Sequence, residues 1–365
     1  QQELITIAKE CERTAEPVPD ATRRRMGELG FLGVNIPREY GGVGAGKVDA
    51  LIVLEEMAKV SAAVAFPVFE ANCGPAQTLL YCAPEPIRRR VLPKVCSGEM
   101  MVSVSMSEPD VGTAMTELKT RGVVKGDRIV INGVKRWCSG PGHAQGYVLY
   151  CRLADKPGAA GVGAVYLEKG TPGLSFGKPE NFMGVRGFHN AEVYLDEVEV
   201  PVENVIVPAG GVKDLMRTFN MERLGNSTCA LGIAASALEV ALAYTQERHQ
   251  FGKPLVDFQA VQMRLGEMKI DVDAARLVIH RAAQGAEDGL PSLLDTSVAK
   301  CFANEAVRRV VANAAQVMGA GGYSRDYPMG QKMRDAWVWG IGGGHIDLQK
   351  VNIAGELVGR RFSQR

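Results

Sequence analysis

The chain has 365 residues, of which 46% are hydrophobic and 23% are charged. This composition excludes a disordered or fibrous protein, and the length predicts two or three packed units with ample cores. Lys and Arg total 42 and Asp and Glu total 41, so the chain has no basic field with which to hold a nucleic acid or an anionic membrane. An anionic ligand must therefore be held by local donors.

The eight cysteines are scattered along the chain. They form no CxxC pair and no His/Cys cluster at metal-ligand spacing, so no metal site is expected. They are typical of buried thiols in a reducing compartment, and we expect a cytoplasmic protein. No stretch approaches the roughly 18 uninterrupted apolar residues of a membrane span, and the opening residues, QQELITIAKECERTAEP, are amphipathic and acidic, unlike a signal peptide.

Residues 1–100 have the pattern of helices. Apolar residues recur three and four positions apart, between Pro and Gly breaks, in ATRRRMGELGFLG, VDALIVLEEMAKVSAAVAF and EPIRRRVLPKVCSG. This spacing places the apolar residues on one face of each helix. The sequence predicts an N-terminal helical domain.

Residues 101–208 change to short segments rich in β-formers. These are MVSVSMS, RIVINGVKRW, GYVLYCRL, GVGAVYLE and AEVYLDEVEV, separated by turn residues, and they predict a middle β domain. Within it, Asn132-Gly133 lies between two alternating runs, a pattern that predicts a tight hairpin at Ile131-Asn132-Gly133-Val134.

Residues 209–365 return to helical periodicity in longer segments. LGIAASALEVALAYTQERH, FQAVQMRLGEMKIDVDAARLVIHRAAQ and VAKCFANEAVRRVVANAAQVMG have alanine-rich faces that commonly pack into antiparallel bundles. We expect a C-terminal bundle of four long helices. The predicted fold class is thus α+β, in the order helices, sheet, helices.

Four segments in this order resemble the acyl-CoA dehydrogenase family. MSEPDVGTA (106–114) is similar to the family's TEPGAGSD segment, and RWCSGPG (136–142) to its WITN segment. ERHQFGKPLVDFQAVQ (247–262) is similar to RxxFGxPLxxFQ, and QVMGAGGYSRDYPMGQKMRDA (316–336) to QxxGGxGYxxxxPxxxxxRDA. NIPREYGG and VPVENVIV add weaker support. The resemblance spans nearly the whole chain and implies an FAD-dependent enzyme with an N-terminal helical domain, a middle β domain and a C-terminal four-helix bundle.

The resemblance also implies a wall that shields the flavin from water. In it Trp137 would cover the ring and the Ser139 hydroxyl would reach flavin N5. The other residues expected in this wall are Val104, Met106, Ser107, Gly112 and Thr113.

A second group would meet the anionic FAD diphosphate with a guanidinium fork and closely approaching backbone. It comprises Arg248, Phe251, Phe258, Gln259, Gln316, Gly319 and Ala320. In the family such residues come from a neighbouring subunit, so the resemblance implies an obligate homo-oligomer, most often a tetramer. His345 and Asp347 would be further FAD neighbours, at positions where the family usually has Thr and Glu, and Ala114 replaces the usual Asp.

Removal of an α proton from a thioester needs a carboxylate in a dry pocket. Many family members carry it in a YEGT loop, but Gly343 stands at that position here. Isovaleryl-CoA and long-chain dehydrogenases instead carry the base before an arginine on the first bundle helix, and FNMERLGNS supplies Glu222 before Arg223. The resemblance therefore implies Glu222 as base and the Gly343 backbone N–H as oxyanion donor.

The substrate implied by the resemblance is an acyl-CoA, with Thr113, Asn220, Arg223 and Gly344 as substrate contacts. The product would be a 2,3-enoyl-CoA, and an electron-transfer flavoprotein would accept the electrons. The run 64–69, VAFPVF, offers no cation for a terminal acid, so we expect an apolar acyl group that is branched, cyclic or aryl.

Four other interpretations stay open at the level of the sequence. Ala114 and the run Gly342-Gly343-Gly344 are also similar to desulfinase-like members that act on 3-sulfinopropionyl-CoA, and crotonobetainyl-CoA reductase-like members share a similar loop. A flavin oxidase or monooxygenase on the same scaffold is a third alternative. A non-catalytic helical assembly is a fourth, although it would leave the constellation of Arg248, Gln259, Gln316 and Gly319 without a purpose.

Overall fold

The computed structural model describes residues 2–286 and 289–362. Helices form the N-terminal part, as the sequence predicts. They are α1 (Gln2–Thr14), α2 (Asp20–Glu28), α3 (Lys47–Val60), α4 (Ala62–Asn72), α5 (Pro75–Cys82) and α6 (Glu85–Cys96).

The segment VDALIVLEEMAKVSAAVAF forms two helices, because Ser61 breaks it. Ser61 is extended (φ −168°, ψ 161°), and its hydroxyl accepts a hydrogen bond from the Val64 backbone N–H at 3.1 Å. A serine in this position satisfies a free N–H of the first helical turn and so starts a new helix. Every residue of α4 is buried, which makes α4 the centre of the N-terminal part.

The middle of the chain forms one eight-stranded sheet. Its strands are β1 (Val102–Ser105), β2 (Arg121–Lys125), β3 (Arg128–Ser139), β4 (Gly146–Arg152), β5 (Val162–Glu168), β6 (Leu174–Phe176), β7 (Asn190–Pro201) and β8 (Val205–Val207). Their order is β6-β7-β3-β2-β4-β5-β8, and β1 pairs in parallel with β4. β4 and β5 are buried along almost their whole length.

The predicted hairpin at Asn132-Gly133 is wrong. β3 runs through these residues, and the β3–β7 register shifts between Ile131 and Gly133. The Asn132 side chain exchanges two hydrogen bonds with Glu197 of β7, at 2.5 and 2.8 Å. The pair therefore forms a bulge, and the turn into β3 lies instead at Gly126, where φ is 64°.

The C-terminal part contains the long helices and a two-stranded ribbon. The elements are α7 (Val212–Glu247), β9 (His249–Gln250), β10 (Lys253–Pro254), α8 (Gln259–Gln284), α9 (Leu293–Met318), α10 (Ala320–Tyr323), α11 (Met329–Asp335) and α12 (Ile346–Val358). α7, α8, α9 and α12 form the bundle, in which α12, with 13 residues, is shorter than predicted. By length and composition α7 could cross a membrane, and it is the one such helix in the described residues, but 61% of its apolar window is buried in the fold.

Small residues let α7 approach the N-terminal helices closely. A Cβ atom at Gly225 would lie 2.5 Å from Cys73 Cβ, and one at Gly232 would lie 2.5 Å from Ala58 Cβ. Close backbone approach of this kind requires glycine. As a consequence, Glu222, which precedes Gly225 by one turn, is held against the C-terminal half of α4.

Arg334 and Asp335 join three parts of the chain. Asp335 accepts a hydrogen bond from the Val185 backbone N–H at 2.6 Å, and Arg334 donates to the Met183 carbonyl at 2.8 Å and pairs with Glu12 of α1. The RDA segment therefore docks the sheet onto the bundle.

Candidate active site

Glu222 lies half-buried near the start of α7. Burial raises the pKa of its carboxyl to about 7, although the nearby Lys300 and Arg223 cations oppose the shift. A carboxylate with a pKa near neutrality is suited to general-base catalysis, since it is both available in the basic form and strong enough to take a proton.

The glycine run opposite Glu222 is held by a buried lysine. Lys300 of α9 donates to the carbonyl oxygens of Gly342 and Gly343, at 2.5 and 2.8 Å. Gly343 (φ 65°) and Gly344 (φ 87°) both have left-handed backbone, which favours glycine. The Gly343 N–H has no hydrogen-bond partner among the described residues, so it is free to donate to a ligand.

Arg223 and Asn220 form a unit beside the base. Arg223 donates to the Asn220 side-chain oxygen, and Asn220 donates to the Pro291 carbonyl at 2.8 Å. Arg223 is 6% exposed, and its Nε has no hydrogen-bond partner within the described ranges. Both polar groups of Asn220 are thus already bonded, and Arg223 Nε is the atom left for a ligand.

A second carboxyl group, which the sequence analysis missed, lies close to Glu222. Glu70 of α4 is 4% exposed. Burial, and after it the charge of Glu222, raises the pKa of Glu70 well above its ordinary value, while a hydrogen bond from Ser139 opposes the shift. Two carboxyl groups and the end of β3 therefore meet in one buried region.

The proposed flavin wall lies on one accessible face of the sheet. Trp137 has φ 60° beside the β3–β7 register shift, and its ring is 47% exposed and stacks on Phe182 at 5.8 Å. The Arg136 backbone N–H donates to the Ser107 carbonyl at 2.8 Å, which ties the loop after β1 to Trp137. Val104, Met106, Ser107 and Ser139 are half-buried, and Gly112 and Thr113 are exposed. An aromatic plate beside accessible backbone fits an isoalloxazine ring.

Glu108 organises the loop that carries this wall. It accepts hydrogen bonds from the backbone N–H groups of Lys119 and Thr120, at 2.6 and 2.9 Å. It also accepts one from the buried ammonium of Lys135 at 2.8 Å, and Lys135 donates in turn to the Met106 carbonyl at 2.9 Å. Glu108, the acid of MSEPDVGTA, thus positions the wall and does not face a ligand itself.

His345 and Asp347 begin α12 at the surface. The Asp347 backbone N–H donates to His345 Nδ1 at 3.2 Å, so His345 caps the helix. Their side chains are 46% and 74% exposed, and they remain accessible to a ligand.

The residues expected to bind the FAD diphosphate lie at the ends of helices, far from Glu222. Arg248 follows α7, and its carbonyl accepts a hydrogen bond from the Leu255 N–H at 2.8 Å. The rings of Phe251 and Phe258 lie 6.2 Å apart. Gln259 begins α8, and Gln316, Gly319 and Ala320 lie where α9 ends. At a rise of about 1.5 Å per residue, Arg248 lies about 39 Å along α7 from Glu222. One chain therefore does not bring Arg248 to the region of the base.

Away from this site, Glu16, His143 and His189 each place a possible ligand atom within 4.8 Å of the others. His189 Nε2 lies 2.9 Å from the Ala15 carbonyl, and the two imidazole rings pack edge to face at 4.5 Å. These contacts account for the cluster, and we assign no metal to it.

Glu70, Lys300 and Glu108 are the residues of this site that the sequence analysis missed. A weak signal existed for the first two, since Glu70 is a single acid in the apolar segment AAVAFPVFEAN and Lys300 interrupts the buried face of α9. Nothing in the spacing indicates that either one meets Glu222, because the three residues come from separate helices.

Comparison with known proteins identifies the family. Models described as the N-terminal, middle and C-terminal domains of acyl-CoA dehydrogenase match residues 1–99, 103–198 and 209–358.

The 3-sulfinopropanoyl-CoA desulfinase of Cupriavidus necator is 35% identical over 96% of this chain and 90% of its own length. The probable acyl-CoA dehydrogenase YngJ of Bacillus subtilis is 32% identical over 98% of this chain and 94% of its own. The structure of butyryl-CoA dehydrogenase from Megasphaera elsdenii superposes with a TM-score of 0.91 at 29% identity, and the match covers 98% of this chain and 97% of that one. The chain belongs to the acyl-CoA dehydrogenase family.

Proposed function

We propose that this chain, an oxidoreductase acting on CH–CH bonds, catalyses the α,β-dehydrogenation of an acyl-CoA with Glu222 as the base. The observation that carries the proposal is the half-buried Glu222, whose pKa is raised to about 7, beside a glycine loop with a free N–H at Gly343. In this assignment Glu222 takes the α proton, and the Gly343 N–H donates to the thioester carbonyl oxygen as negative charge develops there. The product is the 2,3-enoyl-CoA.

The cofactor is FAD, as the family membership implies. The exposed ring of Trp137 beside the accessible backbone of 104–107 fits its ring system. Arg223 Nε and Trp339 Nε1 are buried and have no hydrogen-bond partner among residues 2–286 and 289–362, and a bound ligand commonly satisfies such atoms. When bound, FAD supplies the acceptor for the hydride that leaves the β carbon. Trp137 and Ser139 would orient it and exclude water from the reacting bond.

The acyl group that we propose is mainly apolar: branched, cyclic or aryl. Residues 64–69 of α4 are all buried, and the rings of Phe66 and Phe69 pack against Phe188 and Trp339, at 3.7 and 6.1 Å. This surrounding supports an apolar chain. The electron acceptor proposed for the reduced enzyme is an electron-transfer flavoprotein, and the proposed location is the cytoplasm.

The active unit that we propose is a homo-oligomer, with a tetramer as the expected state. The separation of Arg248 from Glu222 supports it, since a partner must then supply the diphosphate-binding group. A stripe of exposed apolar side chains along α8 also supports it: Met263, Ile270 and Leu277 are 62%, 69% and 70% exposed and lie two turns apart. The domain borders near residues 100 and 208 remain proposals, as do the individual FAD and substrate contacts.

The test is the variant Glu222→Gln. It should keep FAD and thioester binding, but flavin reduction by acyl-CoA under anaerobic conditions should slow by roughly 100-fold to 10,000-fold, because a general base is lost. Glu239→Gln on the same helix is the control, since Glu239 is an exposed partner of Lys59. Flavin reduction at a near-normal rate in Glu222→Gln would reject the assignment of the base.

A second candidate function is desulfination of a sulfinylated acyl-CoA. The observation in its favour is the 35% identity to a protein named 3-sulfinopropanoyl-CoA desulfinase. The two functions differ in their redox outcome. Release of sulfite from 3-sulfinopropanoyl-CoA without bleaching of the flavin absorbance would favour the second one, and bleaching by an apolar acyl-CoA would favour dehydrogenation.

A further inference from the structure

Glu70 is a buried polar group whose hydrogen bonding is incomplete. Its side chain lies on α4, only 4% of the residue is exposed, and Oε2 has no hydrogen-bond partner in the described part of the chain. All other residues of α4 up to Phe69 are apolar. A buried polar atom without a partner costs free energy, so such atoms are retained where a ligand completes the bonding.

The surroundings of Glu70 place it inside the proposed acyl site. The close packing of α7 on α4, where a Cβ atom at Gly225 would lie 2.9 Å from the Phe69 ring, brings Glu222 near Glu70. The charge of Glu222 raises the pKa of Glu70, and Ser139 at the end of β3 lowers it. A Cβ atom at Gly74 would lie 2.7 Å from Glu70 Oε2, so glycine at that position leaves the space that the carboxyl occupies. Glu70 therefore lies beside the proposed base and near the strand end proposed to face the flavin.

The charge distribution makes Glu70 the protonated member of the pair. Arg223 and Lys300 both act on Glu222 and favour its negative charge, whereas Ser139 is the one group that lowers the pKa of Glu70. Two neighbouring carboxyl groups in a dry site do not both ionise, so the proton stays on the group without cations. A neutral Glu70 has an O–H to donate.

We propose that Glu70 is a specificity-determining site that binds an uncharged keto or hydroxyl oxygen on the acyl group, one carbon beyond the β carbon. The inference rests on the proposed function, because it takes the reacting carbons to lie at Glu222. A charged oxygen is disfavoured at Glu70, since Arg223 and Lys300 act on Glu222, whereas no cation in the described residues is among the groups that act on the Glu70 carboxyl. The substrate class becomes an otherwise apolar acyl-CoA with one neutral oxygen.

The experiment compares two thioesters of equal chain length, pentanoyl-CoA and 4-oxopentanoyl-CoA, by calorimetric titration of the FAD-loaded enzyme. Wild type should bind the oxo compound at least about tenfold more tightly, because a site built to hydrogen-bond an oxygen rejects the analogue that lacks it. Glu70→Leu should reduce this ratio to within about twofold. Glu70→Gln should keep most of it, since its amide N–H still donates.

Two further binding measurements test the role of Glu70. Gly74→Ala should also reduce the ratio, because its methyl group would displace Oε2, and succinyl-CoA should bind more weakly than 4-oxopentanoyl-CoA. Equal binding of the two pentanoyl compounds by wild type, or an unchanged ratio in Glu70→Leu, overturns the inference. The proposed function fails on different evidence: no acyl-CoA reduces the flavin, or Glu222→Gln still reduces it at a near-normal rate. The binding ratio does not depend on either result.

Discussion

The ammonium group of Lys300 donates a hydrogen bond to the Gly343 carbonyl at 2.8 Å. The same cation also acts on Glu222 and opposes the rise in its pKa. One buried side chain of α9 thus fixes the loop whose N–H is the proposed oxyanion donor and favours the ionised form of the proposed base. Two parts of the chemistry depend on it, although it need not touch the substrate.

Replacement of Lys300 by Met should therefore change the pH dependence as well as the rate. Without the cation, the pKa of Glu222 should rise, and the pH midpoint for flavin reduction should move upwards by roughly one unit. The maximal rate should also fall, since the loop loses two hydrogen bonds. Stopped-flow measurement of flavin bleaching between pH 5 and 9 tests both effects. Lys94→Met is the control, because Lys94 of α6 is exposed and pairs with Glu99 at the surface. An unchanged profile in Lys300→Met, like that of the control, would contradict the positioning role.

Flavin reduction in the wild-type enzyme should rise with pH and level off above neutrality. The base acts only when ionised, and the pKa of Glu222 is raised to about 7 by burial, so the rate should fall about tenfold per unit below pH 7. Burial also lowers the pKa of Lys300 to about 7, so the midpoint near pH 7 belongs to the pair. The measurement is the anaerobic rate at saturating acyl-CoA. A flat profile from pH 5 to 9 would show that another group, or none, titrates in this step.

The raised pKa of Glu222 also predicts that Glu222→Gln is more stable than wild type at high pH. The folded-state pKa of about 7 lies above the ordinary value of 4.5, so wild type loses stability as the pH rises from 4.5 through 7. Glutamine carries no charge, and the variant should unfold with a free energy about 2–3 kcal/mol higher than wild type at pH 8 but nearly equal at pH 4.5. Urea unfolding at both pH values tests this, with Glu239→Gln as the control. A gain of the same size at pH 4.5 would assign it to packing and not to ionisation.

Substitution of Gly343 by Ala should impair the reaction far more than substitution of its neighbour Gly342. Gly343 has φ 65°, and a Cβ atom there would lie 3.0 Å from Lys300 Nζ, whereas at Gly342 the nearest atom would be 3.6 Å away and the backbone is not left-handed. Left-handed backbone costs alanine about 1 kcal/mol, and the loop must move away from Lys300. We expect flavin reduction to slow roughly 10-fold to 100-fold in Gly343→Ala and less than about threefold in Gly342→Ala. Equal effects of the two substitutions would remove the special role of the Gly343 N–H.

The sequence was sufficient for those features that depend on local pattern. Helical spacing and β-rich alternation predict the order of helices, sheet and helices, which the structure has. The assignment of Glu222 as base comes from the resemblance to the family and stays a prediction. The same local reasoning failed at Asn132-Gly133, because a bulge and a tight turn use the same two residues. Only the pairing of β3 with β7, which involves Glu197 far along the chain, decides between them.

The part of the site that the sequence did not predict is made of long-range contacts. Glu70, Lys300 and Glu222 come from α4, α9 and α7, and each one alone resembles an ordinary polar residue of an amphipathic helix. They form one site only because α7 approaches α4 closely at Gly225 and because the glycine loop packs against α9. Side-chain periodicity records which residues are buried but not which of them meet.

The proposed sharing of the FAD site predicts that two inactive variants restore one another. Arg248→Ala removes the proposed diphosphate contact, and Glu222→Gln removes the base, so each homo-oligomer should be inactive. In a mixed oligomer, the Glu222 of one subunit meets the Arg248 of another if the site is shared, and some sites then have both native residues.

Co-expression with two different affinity tags, followed by sequential purification, yields the mixed species. The mixed oligomer should reduce flavin at a substantial fraction of the wild-type rate per intact site. A mixed oligomer of Glu222→Gln and wild-type subunits, prepared in the same way, calibrates the rate expected per intact site. If Arg248 and Glu222 served the same site from one chain, no mixture would hold an intact site, and the mixed oligomer would be as inactive as its parents. The distance of about 39 Å along α7 argues for the shared arrangement.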